Sequence, residues 1–262
     1  MRYHAGRGGR KGVIIFDFDG VLIDSVDEIL VNAYNAAQGT VVFRPEEIPP
    51  KFTARFRLNC CRPRNAAEMV VLAKWCLQEP EQGLRLLPPG EFEYLAGSLK
   101  SSKAELQSLF FLTRNKFVDQ NRTQWLALST PYEPLWSGLK KCMKDPLVIL
   151  TNKNARAVAD ICAHHGIAVR SDCIFSGDSG ASKTENFRAI QQKFPGRRYH
   201  FIDDALTNLL ELKRNLKDDQ SVSLALALWG YVTADDQATA ERENLLVYTQ
   251  ETLLQALDRL QS

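Results

Sequence analysis

The stretch Val13–Ser25, "VIIFDFDGVLIDS", decides how this chain is read. Four apolar residues lead straight into two carboxylates, Asp17 and Asp19. A short run of this kind reads as a buried strand, yet ionised acids are costly to desolvate unless something compensates them. Two carboxylates this close also raise each other's pKa. The pair is therefore either a surface turn with spare acids or one end of a cation site.

Four more apolar runs repeat the pattern. They are "LVILTNKN" (Leu147–Asn154), "CIFSGDSG" (Cys173–Gly180), "YHFIDDAL" (Tyr199–Leu206) and "SVSLALALWG" (Ser221–Gly230). Helical patterns separate the later ones: "NARAVADICAHHG" from a candidate Asn154 cap to Gly166, "SKTENFRAIQQKF" with a Ser182/Glu185 capping box, and "DALTNLLELKRNL". Near-continuously apolar strands alternating with helices predict a Rossmann-like α/β core, a parallel sheet covered on both faces. Ligands of such sheets sit beyond the carboxyl ends of the strands, so the polar residues ending these runs should converge.

The chain from Ser25 to about Ser129 breaks the rhythm. Capping patterns at Ser25/Glu28, Asn65/Glu68 and Ser102/Glu105 each open a helical stretch, with no convincing strand between them. The predicted organisation is a flexible basic tail over 1–10, a core formed by 11–24 with 130–262, and an inserted, mainly α-helical domain over 25–129.

Composition sets outer limits. The 262 residues, 45% apolar and 24% charged, describe an ordinary globular protein with enough chain for a sizeable core. The net charge of +2 is more than covered by Arg2, Arg7, Arg10 and Lys11 among the first twelve residues, which read as a solvated terminus. Nucleic acid is therefore not expected as a partner. The longest apolar run is far too short for a bilayer, so no membrane association is expected. Six cysteines without a C-x-x-C pair suit reduced thiols and a cytoplasmic setting. Lys51, Arg55, Arg57, Arg62 and Arg64 make a basic run in a loop-like stretch, either a solvated face or a selector of an anionic substrate.

The residues ending the runs are Asp17 and Asp19, Thr151 and Asn152, Lys183 at a helix start, and Asp203 and Asp204. Four carboxylates, a hydroxyl and a lysine are what a magnesium-assisted phosphoryl transfer would use. A carboxylate approaching a phosphate meets like charge worth about 4 kcal/mol per pair at ~4 Å and an effective dielectric of ~20, so positive charge must be supplied.

In order, "DFDGVLIDS", "VILTNK", Lys183 and "FIDD" resemble the four motifs of the haloacid dehalogenase superfamily, most closely its phosphatases with a helical cap after the first motif (phosphoglycolate phosphatase-like and β-phosphoglucomutase-like proteins). "PYEPLWSGLKK" (Pro131–Lys141) is similar to the segment leading from cap to core in that group, and "WGY" (Trp229–Tyr231) resembles the sequence after its fifth strand. The resemblance implies Asp17 as nucleophile, Asp19 as general acid and base, and Lys183 as the neutralising cation. It implies phosphate held by Thr151 and backbone N–H groups near Asn152, and Mg2+ held by Asp17, the Asp19 carbonyl and Asp204, with Asp203 ligating or orienting. The expected reaction is hydrolysis of a small phosphorylated metabolite, by a monomer or homodimer. A phosphomutase using the same residues, and a non-catalytic binding protein on the same scaffold, stand as alternatives. Asn208, where many members carry an acid, departs from the pattern.

Overall fold

A computed structural model describes residues 12–78, 83–98, 101–142, 146–217 and 219–261. The basic stretch 1–10 lies outside them. The chain divides into two compact units, one formed by residues 1–22 with 132–262 and the other by Ile23–Pro131.

The first unit is built on a six-stranded sheet. Its strands are β1 (Gly12–Phe16), β4 (Val148–Leu150), β5 (Ile174–Phe175), β6 (Arg198–Asp203), β7 (Val222–Ala227) and β8 (Leu246–Tyr248). They lie in the order β5-β4-β1-β6-β7-β8, every pairing parallel. The parallel α/β sheet expected from the alternating pattern is therefore present. The five sequence runs each hold a strand, while β8 is a sixth that the sequence reading did not anticipate. Its pattern is short and half-exposed, and it is recruited by pairing with β7 through Leu226↔Val247. Helices α6 (Leu135–Cys142), α7 (Ala155–His164), α8 (Lys183–Lys193), α9 (Leu206–Asn215), α10 (Ala234–Arg242) and α11 (Gln250–Leu260) complete the unit. Ile15, Phe187, Phe201, Leu209, Leu212 and Leu226 form its fully buried centre.

This order fixes where a ligand can bind. From β1 the chain winds through β4 to β5 on one side, then crosses to β6, β7 and β8 on the other, so the strand order reverses beside β1 and ligands of such a sheet sit beyond its carboxyl end. Phe16 pairs with Ile149 and Ile202, which brings the residues just after Phe16, Leu150 and Ile202 to one rim.

The second unit is helical: α1 (Val26–Gln38), α2 (Pro50–Asn59), α3 (Ala66–Gln78), α4 (Pro89–Ser98) and α5 (Lys103–Ala127). β2 (Ile23–Asp24) and β3 (Thr130–Pro131) pair antiparallel and tie the two ends of the insertion together. α1 ends at Gly39, left-handed at φ 68°, as a helix stop demands. The capping boxes at Ser102/Glu105 and Ser182/Glu185 form, and Asn65 and Asn154 cap α3 and α7. Ser25/Glu28 does not. The Asp24 carboxylate accepts the Val26 N–H instead, and Glu28 is buried, accepting from Trp125 Nε1 at 3.0 Å and Asn32 Nδ2 at 3.3 Å. A buried indole N–H needed an acceptor, and that tertiary demand outcompeted the local cap. The basic run also departs from expectation: it is largely the helix α2 rather than a loop. Arg55 is buried and donates to the Cys76 carbonyl, Arg57 pairs with Asp27, and Arg62 donates to the Leu87 carbonyl.

Candidate active site

The rim beyond β1 gathers four of the expected residues. One carboxylate oxygen from each of Asp17, Asp203 and Asp204 lies within 4.8 Å of the others, and all three residues are buried. Asp17 immediately follows β1, while Asp203 ends β6 and Asp204 follows it, so the adjacent parallel strands deliver them together.

Lys183 reaches the same point from the first turn of α8. Its Nζ lies 3.0 Å from Asp17 Oδ2 and 2.6 Å from Asp203 Oδ2, and sits over the Phe201 ring. A cation at a helix N-terminus opposes the helix dipole. Here the two carboxylates more than offset that. Burial works against the ammonium charge, yet Asp17 and Asp203 prevail and hold Lys183 above the usual lysine range.

The acids are strained electrostatically. Burial lifts Asp17 well above the ordinary carboxylate range, with Lys183 opposing and the Asp203 and Asp204 charges adding to the rise. Asp204 is pushed up to about 7, first by burial and then by Asp203, against the pull of the Tyr231 N–H and Lys183. Asp203 has its oxygens engaged: Oδ1 accepts the Ala205 N–H at 2.8 Å, while Oδ2 accepts Lys183 and, at 3.0 Å, Asn208 Nδ2. Asn208, which departs from the resembled pattern, thus braces the neighbouring acid.

Two glycines make room for Asp204. A Cβ on Gly20, at φ +81°, would stand 2.0 Å from Asp204 Oδ2, and one on Gly230 would stand 2.4 Å from Asp204 Cβ. The Tyr231 N–H donates to Asp204 Oδ2 at 2.7 Å, and Trp229 Nε1 donates to the Val21 carbonyl at 2.9 Å, joining the loop after β7 to the loop after β1.

The other expected residues stand further out. Asp19 is partly exposed and binds Lys153 Nζ through Oδ1 at 3.0 Å. Thr151, directly after β4, is buried and accepts the Lys153 N–H at 3.1 Å. Asn152 is exposed and joins none of the hydrogen bonds of the acid cluster. Sequence reasoning assigned no role to Lys153, Gly20 or Gly230. The one available signal was position, since Lys153 is the third residue of the "TNK" that ends the second run.

This arrangement agrees with the comparison of the sequence against protein families, where the haloacid dehalogenase-like hydrolase model matches residues 12–215. The chain belongs to that family. Structures similar to this hydrolase include a predicted phosphatase from Clostridium acetobutylicum (14% identity, 96% of this chain and 100% of that one, TM-score 0.61). A haloacid dehalogenase-like family hydrolase from Streptococcus pneumoniae is also similar (15% identity, 94% and 98% covered, TM-score 0.59). So is a predicted phosphoglycolate phosphatase from Haemophilus somnus (16% identity, 94% and 98% covered, TM-score 0.57). At these identities the likeness speaks to the fold alone. No curated protein matches the sequence.

The residues of this hydrolase fit a divalent cation. Asp17 Oδ1 is buried without a hydrogen-bond partner, beside oxygens of Asp203 and Asp204. An orphaned buried carboxylate oxygen is costly, and a hard cation that prefers oxygen ligands would satisfy it. Among the described residues no helix is long and apolar enough to cross a membrane.

Proposed function

We propose that this hydrolase cleaves small phosphomonoesters with Mg2+, through an aspartyl-phosphate on Asp17. The observation that carries the reading is the meeting of Asp17, Asp203 and Asp204 within 4.8 Å, with Lys183 wedged against two of them.

Asp17, Asp204 and the Asp19 carbonyl would hold the ion, which supplies positive charge against the phosphate oxygens. Asp203 orients Lys183, and Lys183 neutralises the nucleophile. An Asp17 carboxylate oxygen attacks phosphorus as the bond to the leaving oxygen breaks, and Asp19 gives that oxygen a proton. A water oxygen then attacks the phosphorylated Asp17 and passes its proton to Asp19. The phosphorus–Asp17 bond breaks and inorganic phosphate leaves. The Thr151 hydroxyl and backbone N–H groups near Asn152 hold the phosphate oxygens. The helical unit would act as a cap that admits substrate and excludes water. Free thiols at Cys60, Cys61, Cys76, Cys162 and Cys173 support a cytoplasmic setting.

The test is a phosphate-release screen over phosphorylated metabolites, with and without Mg2+, using Asp17→Asn as the blank. Metal-dependent release by the parent and none by the variant is expected. Equal release by both would remove Asp17 from the mechanism.

A further inference from the structure

We propose that Lys153 is a positioning residue that holds the Asp19 carboxylate for the water-attack half of the reaction, and thereby sets the lifetime of the phosphorylated enzyme. The inference rests on the hydrolase reading above.

The ion pair is asymmetric. The Lys153 side chain is 3% exposed and that of Asp19 is 26% exposed, with Nζ 3.0 Å from Oδ1. Exposed lysines in surface pairs stay mobile and contribute little. A lysine ordered this fully gives up most of its rotamer freedom, so its burial beside an open carboxylate needs a reason.

The backbone around Lys153 is also anchored. Its N–H donates to Thr151 Oγ1 at 3.1 Å. Just beyond it, Asn154 Nδ2 and the Ala155 N–H each donate to Asp178 at 2.9 Å, from the loop preceding α8. A Cβ on Gly177 would stand 3.4 Å from the Asn152 carbonyl oxygen, so the two loops are also in close contact. Lys153 is thus the fixed partner and Asp19 the held one. It links the loop after β1, which carries Asp17 and Asp19, to the loop after β4, which carries Thr151.

Both proton transfers need Asp19 in place, but they differ in how far they depend on it. An aryl oxide leaves without a proton, so loss of Asp19 alignment spares the first step on an activated ester. Water attack has no such bypass. A residue that only stabilises the fold would weaken both steps on both kinds of ester alike.

The experiment compares the parent, Lys153→Met and Lys153→Arg on p-nitrophenyl phosphate and on the best alkyl phosphate from the screen, with Mg2+ present and folding checked by melting. For Lys153→Met, kcat on the alkyl ester falls by roughly 10²-fold or more with KM little changed. On the aryl ester it releases a burst of nitrophenolate stoichiometric with enzyme, then turns over slowly. Acid-quenched protein then carries one phosphoryl group on Asp17. Lys153→Arg keeps the ion pair and recovers part of the rate. A burst on the aryl ester slowed as much as kcat on the alkyl ester, or slow turnover without phosphorylated enzyme, would overturn the inference and leave the hydrolase reading standing. If Lys153→Met does not fold, the aryl burst and the phosphorylated protein in Lys153→Gln decide in the same way. Should the parent release no phosphate from any ester, the hydrolase reading itself fails, and this inference with it.

Discussion

Replacing Lys183 by Met removes a cation wedged against two of three clustered buried acids and leaves its shape nearly intact. Lys183 Nζ lies 2.6 Å from Asp203 and 3.0 Å from Asp17, with 8% of its side chain exposed. At an effective dielectric of ~20, each contact has a gross Coulomb attraction of about 5–6 kcal/mol, most of it cancelled by desolvation. What matters is the charge left behind: breaking a buried pair by removing one partner costs about 3–5 kcal/mol. For a domain of roughly 150–250 residues that is a fall in Tm of about 6–20 °C. The sign with pH follows from the raised pKa of Lys183. Its stabilising contribution is complete below the ordinary lysine value and is lost only as pH rises through the folded value, so the whole penalty is present at neutral pH. Melting of parent and Lys183→Met at pH 7.5 without metal measures it. Added Mg2+ should return part of the loss, because it brings positive charge to the same oxygens. A Tm within about 2 °C of the parent in metal-free buffer would show that the acids do not depend on this lysine, and would refute the electrostatic account of the site.

Three other outcomes are expected. Because burial raises Asp17, its ionised form is disfavoured in the fold, and its contribution is lost as pH rises above the ordinary carboxylate value. Asp17→Asn should therefore abolish activity yet stabilise the metal-free protein at pH 7 by roughly 0.5–2 kcal/mol, read by denaturant melts with and without Mg2+. Gly230→Ala places a methyl 2.4 Å from Asp204 Cβ and from the Gly20 carbonyl oxygen. It should cost about 1–3 kcal/mol and weaken Mg2+ binding in a titration, whereas Gly90→Ala, with open space around it, should do neither. Burial pushes the Cys162 thiol up to about 12, so it stays protonated and unreactive toward iodoacetamide at pH 8 in the native protein, while half-buried Cys60 and Cys61 are labelled well before it, by peptide mass spectrometry.

The legible and illegible parts of this molecule differ in physical origin. Period and punctuation are local, so the strand runs and most caps could be read directly: Ser102, Ser182, Asn65 and Asn154 all cap as their neighbours suggest. Ser25/Glu28 has the same local pattern and does not cap, because Glu28 answers Trp125, 97 residues away. No window of sequence holds that partner. β8 was missed for a related reason, since a three-residue strand draws its identity from the neighbour it pairs with. The basic run keeps Lys51, Arg57 and Arg64 at the solvated surface, as a local reading suggests, but Arg55 is buried on the Cys76 carbonyl and Arg62 donates to the Leu87 carbonyl, partners 21 and 25 residues away.

Sequence alone determined that acids and a hydroxyl end a series of buried strands and that a lysine opens one of the following helices, because strand periodicity, helix capping and the rule of parallel crossovers need only local order. Tertiary structure decided how those groups share the work. Which acid is braced, which oxygen is orphaned, which glycine must stay bare and which lysine is buried beside Asp19 all depend on distances between segments far apart in the chain.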